Sequence, residues 1–235
     1  MNDKKVLIVV PAYNEEGAIS RVVHEIKNLY PHFPILVIND GSSDQTAQEA
    51  EASGALVVSH PYNLGIGGAV QTGFKIADRE NYDAVIQMDG DGQHNPNDLM
   101  NVLQPVLQDK LDLSIGSRFL TQDADFRSTP FRRIGIRFFA ILLGSLTGIH
   151  ITDPTSGFRA TSRRLIKHFS LYYPIDFPEP EAIKIAKRLN ARIGEVPARM
   201  RKRSEGRSSI RYLATIHYMI KVTLAILIDM LKKSR

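Results

Sequence analysis

The chain has 235 residues, of which 43% are hydrophobic and 23% charged; this suits a single α/β domain with a sizeable core and excludes a disordered or fibrous chain. It contains no cysteine, which excludes a disulfide framework and a thiolate metal site. The formal net charge of +5 favours an anionic partner, and the excess sits in "RRIGIR" (132–137) and "RMRKRSEGRSSIR" (199–211) rather than in the first hundred residues.

The first element is Val6–Val10, a short apolar run read as a buried strand. The apolar stretch is too short for a signal-peptide core and turns polar after Pro11. Ile19, Val22, Val23, Ile26 and Leu29 then fall on one face of a helix. "PILVIND" (34–40) is a second strand, with Asp44 as a helix cap before "QTAQEAEASG". "ALVVSH" (55–60) is a third strand, followed by a helix from about Ile66 to Asp78. "DAVIQMD" (83–89) is a fourth strand; Pro96 fits the first helical position after Asn95, in a helix reaching about Leu107 with Pro105 inside it. "LDLSIGS" (111–117) is a fifth strand. Strands alternating with helices predict a mostly parallel sheet, whose ligands sit at the carboxyl ends of the strands. Those ends are 11–15, 39–43, 60–65, 89–93 and 117–118, and together they should form one crevice.

Asp89 and Asp91 stand at the end of the fourth strand, two residues apart and pointing roughly the same way. Converging carboxylates there fit a divalent cation held by oxygen alone, Mg²⁺ or Mn²⁺, with Gln93 adding a carbonyl oxygen. The plainer reading is a solvated acidic turn. In "PAYNEE" (11–16), Asn14 as a cap and two acids in the first helical turn explain Asn14, Glu15 and Glu16, but not Tyr13, an aromatic that suits stacking on a nucleobase. "NDGSSD" (39–44) reads as a turn and cap, or as a place where Asp40 accepts a hydrogen bond from a base N–H. "NLGIGGAV" (63–70) has Val70 where a dinucleotide fingerprint needs a third glycine, so its glycines read as close packing at a helix start.

In this order, "VVPAYNEE", "VINDGSSDQT", "NLGIGGAVQTGF", "MDGDGQHNP" and "GSRF" resemble the glycosyltransferase family 2 catalytic domain, an α/β domain of GT-A fold. "DPTSGFRA" (153–160) and "RSEGRSS" (203–209) look most like the dolichyl-phosphate mannosyltransferase type, which includes bacterial enzymes that load sugars onto undecaprenyl phosphate. The resemblance covers about residues 5–210. It implies a GT-A domain over 1–210 and a C-terminal amphipathic helix over 211–235. It also implies a metal site of Asp89, Asp91 and Gln93, and a nucleotide-sugar pocket of Pro11, Tyr13, Glu15, Asp40, Asp89 and Gly90, closed by Arg203 on a flexible loop. Arg118 and Arg132 would take the acceptor phosphate, Arg132 being preferred to Arg133 on spacing alone. Asn39 departs from the family, where Asp is frequent, as does Gly90, where Ala is common.

A lipid phosphate is already anionic near neutral pH, so it needs cations rather than a general base. Arginine's planar fork suits it. Glu179 and Glu181 stand where the wider family places a catalytic acid; they read either as sugar-hydroxyl contacts or as acids favoured in a first helical turn. A transferase acting on a sugar hydroxyl is the main rival and would need one of them as base. A basic nucleic-acid-binding protein is the rival of another class, but no nucleic-acid motif is recognised.

The expected reaction is inverting, metal-dependent transfer of a hexose or N-acetylhexosamine from a nucleotide-diphosphate sugar to polyprenyl phosphate. A UDP-sugar is favoured, with GDP-mannose as the alternative. The segments 131–149 and 213–233 are apolar but interrupted, the second by His217, Lys221 and Asp229, which predicts interfacial attachment at the cytoplasmic membrane face rather than a span. A membrane-protein partner over the C-terminal helix is the other anchor this pattern allows.

Overall fold

The computed structural model describes residues 4–120, 144 and 148–201. Strands and helices alternate through the first half: β1 (Val6–Ala12), α1 (Ala18–Leu29), β2 (Ile35–Asn39), α2 (Thr46–Ala52), β3 (Leu56–Ser59), α3 (Gly65–Arg79) and β4 (Ala84–Gln87). A 3₁₀ turn (Pro96–Asp98), α4 (Leu99–Leu107) and β5 (Leu113–Ser117) follow; then come β6 (Arg159–Ser162), α5 (Arg163–Leu171), α6 (Pro178–Arg188) and β7 (Ile193–Pro197).

The seven strands form one sheet in the order β3-β2-β1-β4-β6-β5-β7. All neighbours are parallel except β6, which runs antiparallel to both β4 and β5. The sequence reading placed five strands correctly but did not foresee β6 or β7. β6 is "RATS", four residues with no apolar run, yet it lies between β4 and β5, pairing Gln87 with Arg159 on one side and Ile115 with Arg159 on the other. Because it is antiparallel, β6 begins at the end of the sheet where β4 and β5 finish. The chain from Asp153 to Phe158 is therefore delivered to the crevice.

Period-two alternation in β1 divides the core between the two faces of the sheet. Val6, Ile8 and Val10 pack with Ile19, Val23 and Ile26 of α1 and with Leu99 and Leu103 of α4. Leu7 and Val9 pack with Val70 and Phe74 of α3, Leu165 and Phe169 of α5 and Ile183 of α6. Both faces are covered, so β1, β2, β4 and β5 are buried throughout. β3 is an edge strand with two exposed residues. Each fully buried Ile or Leu contributes roughly 1.5–3 kcal/mol.

Local signals explain some helix starts. Asn95 caps the 3₁₀ turn by accepting from the Asn97 N–H, with Pro96 at its first position. The Asp44 carboxylate accepts from the N–H of Thr46 at 3.0 Å, as expected of a cap, although the helix begins one residue later than predicted. Asn14 is not the cap of α1. It adopts φ +53°, and its side chain reaches across to accept from the Ser43 N–H at 2.9 Å.

Candidate active site

Three strand-end loops are stitched together around Asp40. The β1 and β2 loops exchange hydrogen bonds: Asn14 N–H to Ser42 Oγ, Glu15 N–H to Thr46 Oγ1 and Asp40 N–H to the Ala12 carbonyl. The Asp40 carboxylate then reaches the β3 loop, accepting from Leu64 N–H at 2.9 Å, Gly65 N–H at 2.8 Å and His60 Nδ1 at 2.7 Å. Its first role is thus to cap the N-terminus of α3, where a carboxylate is favoured by both the open N–H groups and the helix dipole. The sequence reading gave it a place in a turn or a base contact, and not the cap of α3. The loops are tightly layered at Gly41 (φ +71°), where a Cβ would sit 2.6 Å from the Tyr62 carbonyl carbon. Tyr13 stands 43% exposed at the rim, as a stacking residue must be. Pro11 is buried in β1, where its carbonyl accepts from the Gly90 N–H. Its side chain is therefore part of the strand rather than of an open pocket.

The acidic turn follows β4. The Asp91 carboxylate accepts from the Gln93 N–H at 3.0 Å, and the Gln93 carbonyl accepts from the Arg201 N–H at 2.8 Å, so the turn is pinned at both ends. His94 is buried beneath it, stacked on Phe158 with centroids 4.9 Å apart, and its Nδ1 accepts from the Asp89 N–H at 3.0 Å. Burial pushes the His94 imidazole down to about 4, against the opposing pull of the Asp91 charge. It is neutral near pH 7, which is the form that can accept from Asp89. The Asp89 side chain remains 37% exposed. A Cβ on Gly90 would make contacts of 3.2–3.3 Å with Ala12, the Pro11 carbonyl and Ile19, so the family's alanine fits here only with a small adjustment.

At the end of β5, Arg118 is buried and forked onto Asp153, Nε to Oδ2 and Nη2 to Oδ1, both at 2.6 Å, with Thr155 Oγ1 at 3.0 Å from Nη2. Burial opposes its charge, but the Asp153 hydrogen bonds and charge outweigh that, and the Asp89 and Glu179 charges add to the effect. The sequence reading reserved this fork for the acceptor phosphate; the structure gives the Nε–Nη2 edge to Asp153. Asp153 is itself placed by Glu195 of β7, which accepts from the N–H groups of Thr152 and Asp153 at 2.7 and 2.8 Å.

Glu179 enters from α6. Burial pushes its carboxyl up, Arg159 offsets part of the rise, and the Asp89 charge adds to it. Arg159 is a buried cation that donates to the carbonyls of Ser156, Glu179 and Pro154. It thus ties the 153–158 loop to the start of α6. Asp89, Arg118 and Glu179 therefore share one electrostatic environment. Gly157 closes against them: a Cβ there would lie 2.9 Å from Asp89 Oδ1. His60, His94, Asp153, Gly157 and Arg159 had no assigned role in the sequence. Only the "DPTSGFR" piece marked three of them, and it did so by resemblance. Arg132 and Arg203 lie outside the described residues, and Glu181 is partly buried in the first turn of α6.

Two carboxylates on one pinned turn suit a hard divalent ion that takes its other oxygens from substrate phosphates and water, as Mg²⁺ does. Among the described residues no group of three or more His, Cys, Asp or Glu side chains gathers that could cage a metal by itself. The donor set therefore fits an ion shared with a phosphorylated ligand and does not fit a closed structural site.

Comparison with known proteins agrees with this arrangement. Residues 7–169 match the model of glycosyl transferase family 2. The chain is 34% identical over 220 residues to the UDP-N-acetylglucosamine–dolichyl-phosphate N-acetylglucosaminyltransferase of Methanococcus voltae, covering 84% of this chain and 86% of that protein. It is 28% identical over 215 residues to the undecaprenyl-phosphate mannosyltransferase of Micrococcus luteus, covering 88% and 87%. In fold it is similar to glucosyl-3-phosphoglycerate synthase of Mycobacterium tuberculosis, solved with Mn²⁺, UDP and phosphoglyceric acid. The TM-score is 0.71 at 24% identity, covering 97% of this chain and 78% of that one. With its sheet, its acidic turn and the match over 7–169, the chain belongs to glycosyl transferase family 2 and is a glycosyltransferase with a GT-A catalytic domain.

Proposed function

We propose that the protein transfers a hexose or N-acetylhexosamine, with inversion, from a nucleotide-diphosphate sugar to polyprenyl phosphate. The observation that carries this reading is the juxtaposition of the Asp89–Asp91 turn, after β4, with the buried Arg118, after β5: opposite charges flanking β6, close enough for the Asp89 charge to act on Arg118. The acids suit an ion bound to the donor diphosphate; the arginine offers positive charge to the acceptor phosphate. The named relatives support the acceptor class, because both act on polyprenyl-type phosphates. The solved neighbour binds Mn²⁺ with UDP, which supports a divalent cofactor and favours a UDP-sugar over GDP-mannose.

On this reading, an acceptor phosphate oxygen attacks the anomeric carbon and the bond from that carbon to the donor diphosphate breaks. The products are the polyprenyl phosphosugar and a nucleoside diphosphate. Asp89 and Asp91, with Gln93 beside them, would hold a divalent ion, which would supply charge neutralisation for the leaving diphosphate. Arg118 offsets the repulsion between the two anionic substrates. Tyr13 and the loops around Asp40, with Glu15 and Gly90 beneath them, hold the nucleotide. No deprotonation is required, so Glu179 serves as a contact to the sugar hydroxyls rather than as a base. Arg203 closes over the donor diphosphate and Arg132 joins Arg118 at the acceptor phosphate. The domain limits at 1–210 and 211–235 belong to the same proposal, as does attachment to the cytoplasmic membrane face through 131–149 and 213–233 or through a membrane-protein partner. No helix among the described residues is long and apolar enough to cross a membrane.

The test is release of nucleoside diphosphate from a UDP-sugar panel. The reading requires release that depends on both polyprenyl phosphate and Mg²⁺ or Mn²⁺. Release that is unchanged when the lipid is replaced by a sugar alcohol would favour the hydroxyl-acceptor rival instead.

A further inference from the structure

His60 is a buried histidine that the reaction does not use. It ends the β3 run, its side chain is 8% exposed, and both ring nitrogens are engaged. Nδ1 lies 2.7 Å from Asp40 Oδ1, and Nε2 lies 3.0 Å from Thr72 Oγ1, whose other neighbour is the Gly68 carbonyl at 3.1 Å. A carboxylate only accepts, so the Nδ1 position carries the proton. Among the described residues, Asp40 Oδ1 thus receives two donors, His60 and the Leu64 N–H, while Oδ2 receives only the Gly65 N–H. With two acceptor positions on each oxygen, the unfilled one lies on Oδ2.

We propose that His60 is a positioning residue for the nucleotide pocket: by holding Asp40 Oδ1 against α3, it directs the remaining acceptor position of Oδ2 toward the nucleobase. This rests on the nucleotide-sugar reading above and goes beyond it in assigning the base contact's geometry to a residue behind it. A lone carboxylate rotates about χ2 at little cost. Three donors from two directions, His60 on one side and the α3 terminus on the other, remove that freedom before the nucleotide arrives. Pre-organisation of this kind lowers the ordering cost of binding. The same contacts tie the β3 loop to β2, so the loop that passes over Gly41 is fixed along with the carboxylate.

The experiment is calorimetric binding of UDP and GDP with Mn²⁺ to the parent chain and three variants, alongside thermal unfolding and kcat and KM for the donor. His60→Asn keeps an N–H donor near the Nδ1 position and loses the reach to Thr72. His60→Gln keeps a group near the Nε2 position and withdraws the donor from Asp40. Thr72→Val removes only the distal partner. The proposal predicts weakening of about tenfold in nucleotide affinity for His60→Gln, equivalent to about 1.4 kcal/mol, with a matching rise in donor KM and little change in kcat. His60→Asn should recover most of that loss, and Thr72→Val should bind nearly as tightly as the parent. If all three variants lose affinity in proportion to their loss of melting temperature, His60 is merely a packing residue and the proposal falls. It falls equally if His60→Gln binds like the parent. If the parent chain binds neither nucleotide while remaining folded, the nucleotide-sugar reading itself fails and takes this inference with it.

Discussion

Gly157→Ala should impair the site while leaving the fold intact. The new Cβ would lie 2.9 Å from Asp89 Oδ1, 3.3 Å from Oδ2 and 3.2 Å from Gln87 Nε2. Ordinary van der Waals contact begins at 3.4 Å, so the nearer oxygen must retreat by 3.4 − 2.9 = 0.5 Å. Gly157 is not in the left-handed region, so the backbone itself does not resist the change. The Asp89 side chain is 37% exposed and can swing into water. The cost in stability should therefore stay below about 1 kcal/mol. The cost in turnover should be larger, because a misplacement of about 1 Å in a reacting constellation can cost about a hundredfold, and half of that on a logarithmic scale is about tenfold. The assay is initial rate against Mn²⁺ concentration, with thermal unfolding as control. A rate about tenfold lower, a higher metal requirement and a nearly unchanged melting temperature are expected. A parent-like rate and parent-like metal dependence would refute the placement of Asp89 in the reacting site.

Asp91→Asn should lower turnover by at least about a hundredfold, since the charge supplied through the ion is worth several kcal/mol; full activity under chelation would contradict the role. Arg118→Lys should both raise the acceptor KM and lower stability by about 1–3 kcal/mol, because a single ammonium cannot replace the two bonds to the buried Asp153; an unchanged melting temperature would show that the fork is not structural. Asp112 is held below the usual carboxylate range by the Arg192 side-chain hydrogen bonds, which outweigh its burial. A depressed acid contributes stability fully present above its unfolded value of about 3.9 and lost as pH falls through its folded value. Acid unfolding of Asp112→Asn should therefore show a shallower pH dependence below about pH 4, and identical acid profiles would sink the assignment.

The first half of the chain was legible because each buried strand is a continuous apolar run ending in turn residues. Val6–Val10, 34–40 and 83–89 could hardly be anything else, and their ends gave the crevice. The acidic turn was legible for the same reason, since Asp89 and Asp91 interrupt an apolar strand. β6 was not, because "RATS" owes its place to neighbours on both sides and to a buried Arg159 satisfied by three carbonyls, not to any local pattern. The partner of Arg118 was hidden as well: Asp153 is 35 residues away in sequence and arrives only because β6 reverses direction. Asp40 shows the opposite limit. Its position at a strand end was read correctly, but its three donors come from His60, Leu64 and Gly65 on a different loop, which no local spacing encodes. Arg132, Arg203 and the segments 131–149 and 213–233 lie outside the described residues, apart from Gly144, Gly148 and Ile149 at the end of the first segment.

The central claim is that the acceptor is a polyprenyl phosphate. The most direct test is the mass of the lipid product after incubating the protein with undecaprenyl phosphate, Mn²⁺ and a panel of UDP- and GDP-sugars. The account predicts a lipid heavier by one hexosyl or N-acetylhexosaminyl unit that retains a single phosphate, with nucleoside diphosphate released in equal amount and both lost on chelation. A lipid carrying two phosphates, or sugar transfer only to a hydroxyl acceptor with the lipid unchanged, would contradict it.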